Sequence, residues 1–289
     1  MSVFAKPKAA IRVLTGRVIA HRTLPIHDDD IFLASYPKSG NTYVRFLLAT
    51  LVYPDQCTSL LAADRLVPDV DGQTRRYFRQ MPRPRIIKTH YPFDHTYKRV
   101  VYIVRDPRDV VLSQYHYQIK RKVLDEGYPL EAYVPRFVAG DVSNYGSWRQ
   151  HVGSWLGAYP GNDPAFRLVR YEDLLHQTSA ELGRIARFLH IESTPDQLAQ
   201  AVERSTADQM RKLEEAESAK WGSTKGTRKD KPYFRAATDK QWVTALPSDC
   251  IAQIERAWGG LMASLGYQTV SGQYAPDAAL SAVLSRHKD

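Results

Sequence analysis

Ile31-Phe-Leu-Ala-Ser35, followed at once by Tyr36-Pro-Lys-Ser-Gly-Asn-Thr-Tyr43 and then by the apolar run Val44–Leu51, decides how this chain is read. Five uncharged residues, four of them apolar, read as a strand buried on both faces. The Pro-Lys-Ser-Gly run punctuates a tight turn, and the apolar spacing from Thr42 to Leu51 reads as a helix. A strand, a tight loop and a helix N-terminus in that order make an anion site, because successive backbone N–H groups converge and the helix dipole adds partial positive charge. Lys38 supplies a full charge, and Ser39 and Thr42 supply hydroxyl donors, so a phosphate-like group is expected here. The segment does not match GxxxxGK[ST]: Lys38 precedes Gly40 and no Lys-Ser/Thr pair follows it, so ATP with magnesium is not the natural ligand. Taken alone, an ordinary β-to-α turn also accounts for these residues.

Working outward, Arg85–Lys88, Val100–Val104 and Phe166–Val169 read as further strands, each ending in a polar turn. Helical periodicity appears at Arg108–Lys120, Ser179–Leu189 and Ser248–Leu265, with Gly266 as a stop signal after the last. Short strands alternating with longer amphipathic stretches, without internal repeats, predict a single α/β domain over 1–289, with a central parallel sheet flanked by helices and a P-loop-like loop after the first strand. Residues 1–25 are expected to form an N-terminal extension. The polar, Gly- and Lys-rich stretch Glu214–Lys231 has almost no apolar anchors, and 214–233 is expected to be a mobile loop within the domain.

Forty Lys and Arg against 31 Asp and Glu give a formal charge of +9, which favours anionic partners. Cys57 and Cys250 are the only cysteines, too few for a disulfide scaffold or a cysteine-based zinc site. No run approaches the roughly 20 apolar residues of a membrane span. Met1–Ala10 lacks the apolar core of a secretory signal, so a cytoplasmic protein is expected.

Two more strand ends carry reactive side chains. Lys88 and His90 close the second strand, and histidine is well suited to take a proton near neutral pH, although a lone histidine after a strand also fits a structural role. The third strand runs into Arg105-Asp-Pro-Arg108-Asp109 and on to Ser113, so Arg105 and Ser113 can grip one phosphate from the strand end and the helix face. A surface ion-pair cluster with Asp106 and Asp109 is the alternative.

The motifs YPKSGNTY (36–43), KTH (88–90), VRDPRDVVLSQYHY (104–117), YGSW (145–148) and RYEDL (170–174), in this order, resemble the cytosolic-type sulfotransferases that use 3′-phosphoadenosine 5′-phosphosulfate, PAPS. The resemblance covers about residues 31 to 175 and continues more weakly to Tyr267. It implies transfer of a sulfuryl group to a hydroxyl or amine of a small-molecule acceptor, releasing adenosine 3′,5′-bisphosphate, with no metal. It further implies that Lys38, Ser39, Gly40, Asn41 and Thr42 hold the 5′-phosphosulfate, with Lys38 on the bridging oxygen. Tyr43 falls where the family usually places a tryptophan against the adenine, and Tyr171 contacts the adenine region. Arg105 and Ser113 bind the 3′-phosphate, His90 is the general base, and Lys88 stabilises the transferring sulfuryl oxygens. Sulfuryl transfer, like phosphoryl transfer, develops charge on oxygen, which suits positioned cations and N–H donors.

The chain departs from the family in three places. The Arg-Lys-Gly motif becomes Arg235-Ala236-Ala237, which keeps Arg235 as the expected phosphate clamp, with Arg228, Lys229 or Lys231 as candidate substitutes for the lost contacts. The segment Ser205–Met210 keeps Ser205 among the expected donor contacts but has Ala207 in place of a phenylalanine. The dimerisation motif of many eukaryotic members is missing from 243–252, so the oligomeric state stays open. Val52–Met81 and Gly127–Asn144 fall where acceptor walls are expected, with Tyr91, Phe93 and Tyr117 as apolar lining. A kinase-like P-loop enzyme, a basic nucleic-acid-binding protein, and a family member that binds the donor without turnover are the alternatives; neither nucleic acid nor membrane is the expected partner.

Overall fold

The computed structural model describes residues 24–159, 163–235 and 238–276. Four parallel strands, β1 (Ile31–Ser35), β2 (Ile86–Thr89), β3 (Arg99–Val104) and β4 (Phe166–Arg170), form one sheet in the order β2-β1-β3-β4. The expected strands are all present, their ends shifted by no more than a residue. Register places Ala34 opposite Thr89 on one side and Tyr102 on the other, so all three strand ends open at the same rim. The chain leaves β1 toward β2, then returns past β1 to β3, so the connections diverge between β1 and β3, where α/β sheets bind ligands.

Side chains alternate along β1 because a strand has period two. Phe32 and Ala34 join a core with Tyr102, Trp148 and Trp155, whereas Ile31 and Leu33 join a second core with Leu47, Ile103 and Ile185. The helix Asn41–Val52 covers the second face, and Val110–Leu112 of the helix Pro107–Lys120 cover the first. Asp106 caps the latter helix through the Arg108 N–H, with Pro107 at its first turn. The last helix, Ser248–Ser264, ends in a Schellman motif: Gly266 has φ 78°, its N–H donates to the Ala263 carbonyl, and the Tyr267 N–H donates to that of Met262.

One expectation is corrected by packing. The 214–233 stretch contains an apolar anchor after all, because Trp221 is fully buried against Tyr233 and Phe234. Glu214 belongs to the helix Ala207–Glu217, and its buried carboxylate accepts the N–H groups of Tyr233 and Phe234 and pairs with Lys120. The acceptor-wall stretches also contain helices, Leu60–Leu66, Arg75–Gln80 and Leu130–Ala139. The N-terminal extension up to residue 23 and the Ala236-Ala237 pair lie outside the described residues.

Candidate functional site

The loop after β1 is shaped by two residues with positive φ, Lys38 (70°) and Gly40 (99°). A Cβ at Gly40 would sit 2.3 Å from the Tyr171 ring, so glycine is required by both backbone and space. Asn41 ties the loop to its strand, donating to the Leu33 carbonyl and the Ser35 hydroxyl, both at 3.1 Å. No side chain caps the helix that begins at Asn41. Ser39 lies fully buried beneath the loop, and its Oγ has no partner among the described residues.

Above the loop lies a cavity of about 790 Å³. Lys38, Gly40, Asn41, Thr42 and Tyr43 line it from the loop, Lys88 and His90 from the end of β2, and Arg105, Ser113 and Tyr117 from the end of β3 and its helix. Tyr171, Ser205 and Arg235 complete the far wall, although the Ser205 hydroxyl donates to the carbonyl of Ala201 in its own helix. The Lys38 ammonium stands between two rings, 4.1 Å from the centroid of Tyr117 and 4.2 Å from that of Tyr233. Burial lowers its pKa, and the positive charges of Arg105 and Arg235 push the same way against Tyr233. Burial and the charge of Arg105 likewise lower Arg235. Lys38, Arg105 and Arg235 thus place three positive charges on one cavity; Arg105 pairs with Asp109 at 3.8 Å and its guanidinium lies 4.5 Å from the Tyr171 ring, an arrangement suited to an anion.

His90 is held by β1. Its Nδ1 lies 2.8 Å from the Ser35 carbonyl oxygen, which can only accept, so the proton sits on Nδ1 and the Nε2 lone pair is left for chemistry. Burial, then the charge of Lys88, lowers the His90 pKa well below the ordinary value, so the ring is neutral near pH 7. His151 Nε2 donates to the His90 carbonyl, and Tyr102 donates to His151 Nδ1, which fixes the backbone on the other side. Beside His90, Lys88 pairs with Asp69.

Two expected acceptor-lining residues point elsewhere. Phe93 packs edge-on against Trp155 and Tyr159, and Tyr91 donates to Asp71 and meets the edge of Tyr145; neither lines the cavity. Tyr145, Asn144, Gln114, Gln118 and Asp69 line the cavity instead, and the Tyr145 ring lies 5.9 Å from that of His90. The sequence reading missed Tyr233, whose hydroxyl lies 3.0 Å from that of Thr42, and Asp69; Tyr145 stood in the quoted YGSW motif without an assigned role. Among the described residues, no group of three or more His, Cys, Asp or Glu could hold a metal ion, and no helix is long and apolar enough to cross a membrane.

A family model described as a sulfotransferase domain matches residues 28–266. Sulfotransferase 1B1 of Canis lupus familiaris is 28% identical over 199 residues, covering 63% of this chain and 66% of that protein. Sulfotransferase 2B1 of Homo sapiens is 30% identical over 67% of this chain and 55% of its own length, and Sulfotransferase 6B1 of Danio rerio is 28% identical over 76% and 78%. The chain thus spans between about half and two thirds of the length of most of the curated relatives it matches. Among solved structures, a mouse sulfotransferase complexed with PAP superposes with a TM-score of 0.66 at 22% identity, covering 83% of this chain and 86% of that one. A retinol dehydratase in a complex with retinol and PAP gives 0.69 at 18% identity, covering 83% and 82%. At such identities the superpositions establish a shared fold.

Proposed function

This chain belongs to the sulfotransferase family, and on that premise we propose that it transfers a sulfuryl group from PAPS to a hydroxyl or amine of a small-molecule acceptor, releasing adenosine 3′,5′-bisphosphate. The observation that carries the reading is the convergence of an anion loop, a second pair of cationic grips and a neutral, tautomer-locked histidine on one cavity. The residues fit the donor. Lys38, Ser39, Gly40, Asn41 and Thr42 would hold its 5′ anionic end, Ser39 bringing a hydroxyl that has no partner among the described residues. Arg105, Ser113 and Arg235 would hold the 3′-phosphate, where two guanidiniums otherwise repel. Tyr43 and Tyr171 would flank the adenine.

When bound, PAPS supplies the sulfuryl group on a phosphate leaving group. The chain does the rest. Lys38 holds its charge where the bridging oxygen becomes anionic, and Lys88 offers a second cation to the transferring oxygens. His90 Nε2 accepts the acceptor proton, because Nδ1 is committed to Ser35. The helix face at Tyr117 and the loop at Tyr145 cover the reacting centre. The proposed setting is cytoplasmic, and the partners are small molecules rather than nucleic acid.

Calorimetry with adenosine 3′,5′-bisphosphate, ATP and adenosine 5′-phosphate tests the donor: affinity that depends on the 3′-phosphate supports the reading, and no preference for it refutes it. His90→Ala is expected to keep that affinity and to lose on the order of 10²–10⁴ in kcat, the range of a general base.

A further inference from the structure

Beyond the end of the helix Leu60–Leu66, the chain runs alongside β2. The Val70 N–H donates to the Lys88 carbonyl, and the Lys88 N–H donates to the Pro68 carbonyl, both at 2.9 Å, so Asp69 and Lys88 are partners in a parallel bridge. This short piece extends the sheet at its β2 edge. Bridge partners present their side chains to the same face, and His90, two residues past Lys88, returns to that face by the period of a strand. The main chain therefore brings a carboxylate, an ammonium and an imidazole together at the cavity wall. Asp69 is paired with Lys88, and its Oδ1 also accepts the Asp71 N–H at 3.1 Å.

We propose that Asp69 is a positioning residue for the transfer: it holds the Lys88 ammonium in place and balances the imidazolium that forms when His90 takes the acceptor proton. This rests on His90 being the base. In the step, the acceptor O–H or N–H bond breaks and its proton moves to His90 Nε2, while the acceptor electron pair forms the new bond to sulfur and the S–O bond to the leaving phosphate breaks. The imidazole gains one positive charge in a buried place that already holds the ammonium of Lys88. Without Asp69, two like charges would stand together at the cavity wall, an arrangement that penalises the protonated ring.

The groups facing His90 are few. β1 offers the Ser35 carbonyl and hydroxyl, β2 offers Lys88, the edge segment offers Asp69, the helix Trp148–Ala158 offers His151, and the loop before it offers the Tyr145 ring at 5.9 Å. His151 is pushed down to about 4 by burial and is neutral. Among the described residues, Asp69 is the anion with the largest effect on His90. Burial raises the Asp69 pKa, but the Lys88 charge beside it leads the opposing effects, together with the Lys88 and Asp71 hydrogen bonds, and the net shift is downward.

The test is the titration of His90 followed by NMR in the unliganded protein, together with steady-state kinetics. Asp69→Asn keeps an oxygen for the Asp71 N–H and removes only the charge. It is expected to lower the His90 pKa by about one unit or more, to shift the acid limb of kcat/KM to lower pH by the same amount, and to cut kcat roughly tenfold. Adenosine 3′,5′-bisphosphate affinity is expected to hold, and Asp69→Glu is expected to restore part of the loss. Lys88→Met removes the opposite charge and should move His90 upward, which gives a reading of opposite sign if Asp69→Asn does not fold. A His90 titration that is indifferent to both substitutions overturns the proposal. If His90→Ala turns over like the parent, the base assignment has failed; if that variant is inactive while Asp69→Asn is unaltered, only the role of Asp69 has failed.

Discussion

At the end of the cavity proposed to hold the donor, several walls are ends of regular elements: β1 into its loop, β3 into Arg105, and the first turn of the helix at Asn41. At the acceptor end the walls are the loop 142–145, the exposed turn at Arg121 and the edge segment carrying Asp69. Asn41 ties the first loop to its own strand six and eight residues back, whereas Asp69 reaches Lys88 across 19 positions. Short-range ties thus hold the loop proposed to bind the anion, and a longer-range contact shapes the wall proposed for the acceptor.

The contrast can be broken or sharpened by substitution. The largest effect is expected from Lys38→Met, which keeps the length of the side chain between Tyr117 and Tyr233 but removes the ammonium: turnover should fall on the order of 10²–10³, with the fold unchanged by circular dichroism. Gly40→Ala comes next, because a methyl group would collide with the Tyr171 ring at a φ of 99°. A loss of roughly 1–3 kcal/mol in denaturant unfolding is expected, together with weakened adenosine 3′,5′-bisphosphate binding. A melt at the parental temperature would show that the donor end is softer than its geometry implies.

A further test is a slope with pH. Glu172 accepts the Asp106 N–H and the Tyr267 hydroxyl behind the Arg105 clamp, and burial raises its carboxyl to about 7. The folded state then keeps a proton that the unfolded chain has released, so from about pH 4.5 to 7 this group makes the protein less stable as pH rises, by at most about 1.4 kcal/mol per pH unit. Above pH 7 its contribution is flat. Glu172→Gln should flatten that part of a Tm-against-pH curve, and an unaltered slope would place its origin elsewhere.

The strand, loop and helix from Ile31 to Val52 were legible in the sequence because their signals are local. The strand composition of Ile31–Ser35, the turn residues 37–40 and the helix periodicity that follows lie within 22 residues, and the strand and helix ends fall within a residue of expectation. The acceptor end was not. Whether Tyr91 and Phe93 enter the cavity depends on how the chain turns after His90, and that turn sends Phe93 into the aromatic core around Trp155. Asp69 meets Lys88 through a register between segments 19 residues apart, which no local pattern records. Trp221 was overlooked because one large apolar side chain barely alters the composition of a polar stretch, yet it fills a core position by itself.

The helix Pro107–Lys120 contributes to both ends, with Ser113 at the expected 3′-phosphate and Tyr117 and Gln118 beside Lys38 and the acceptor wall. It thus works as a ruler. At 1.5 Å of rise per residue, Ser113 and Tyr117 stand about 6 Å apart along the axis, one turn up the same face. An insertion of a single residue between them would swing one mark about 100° away from the other, leaving each wall intact but no longer facing the same reaction. A residue inserted in a loop beside this helix would leave both marks in phase, whereas one inserted between them would not.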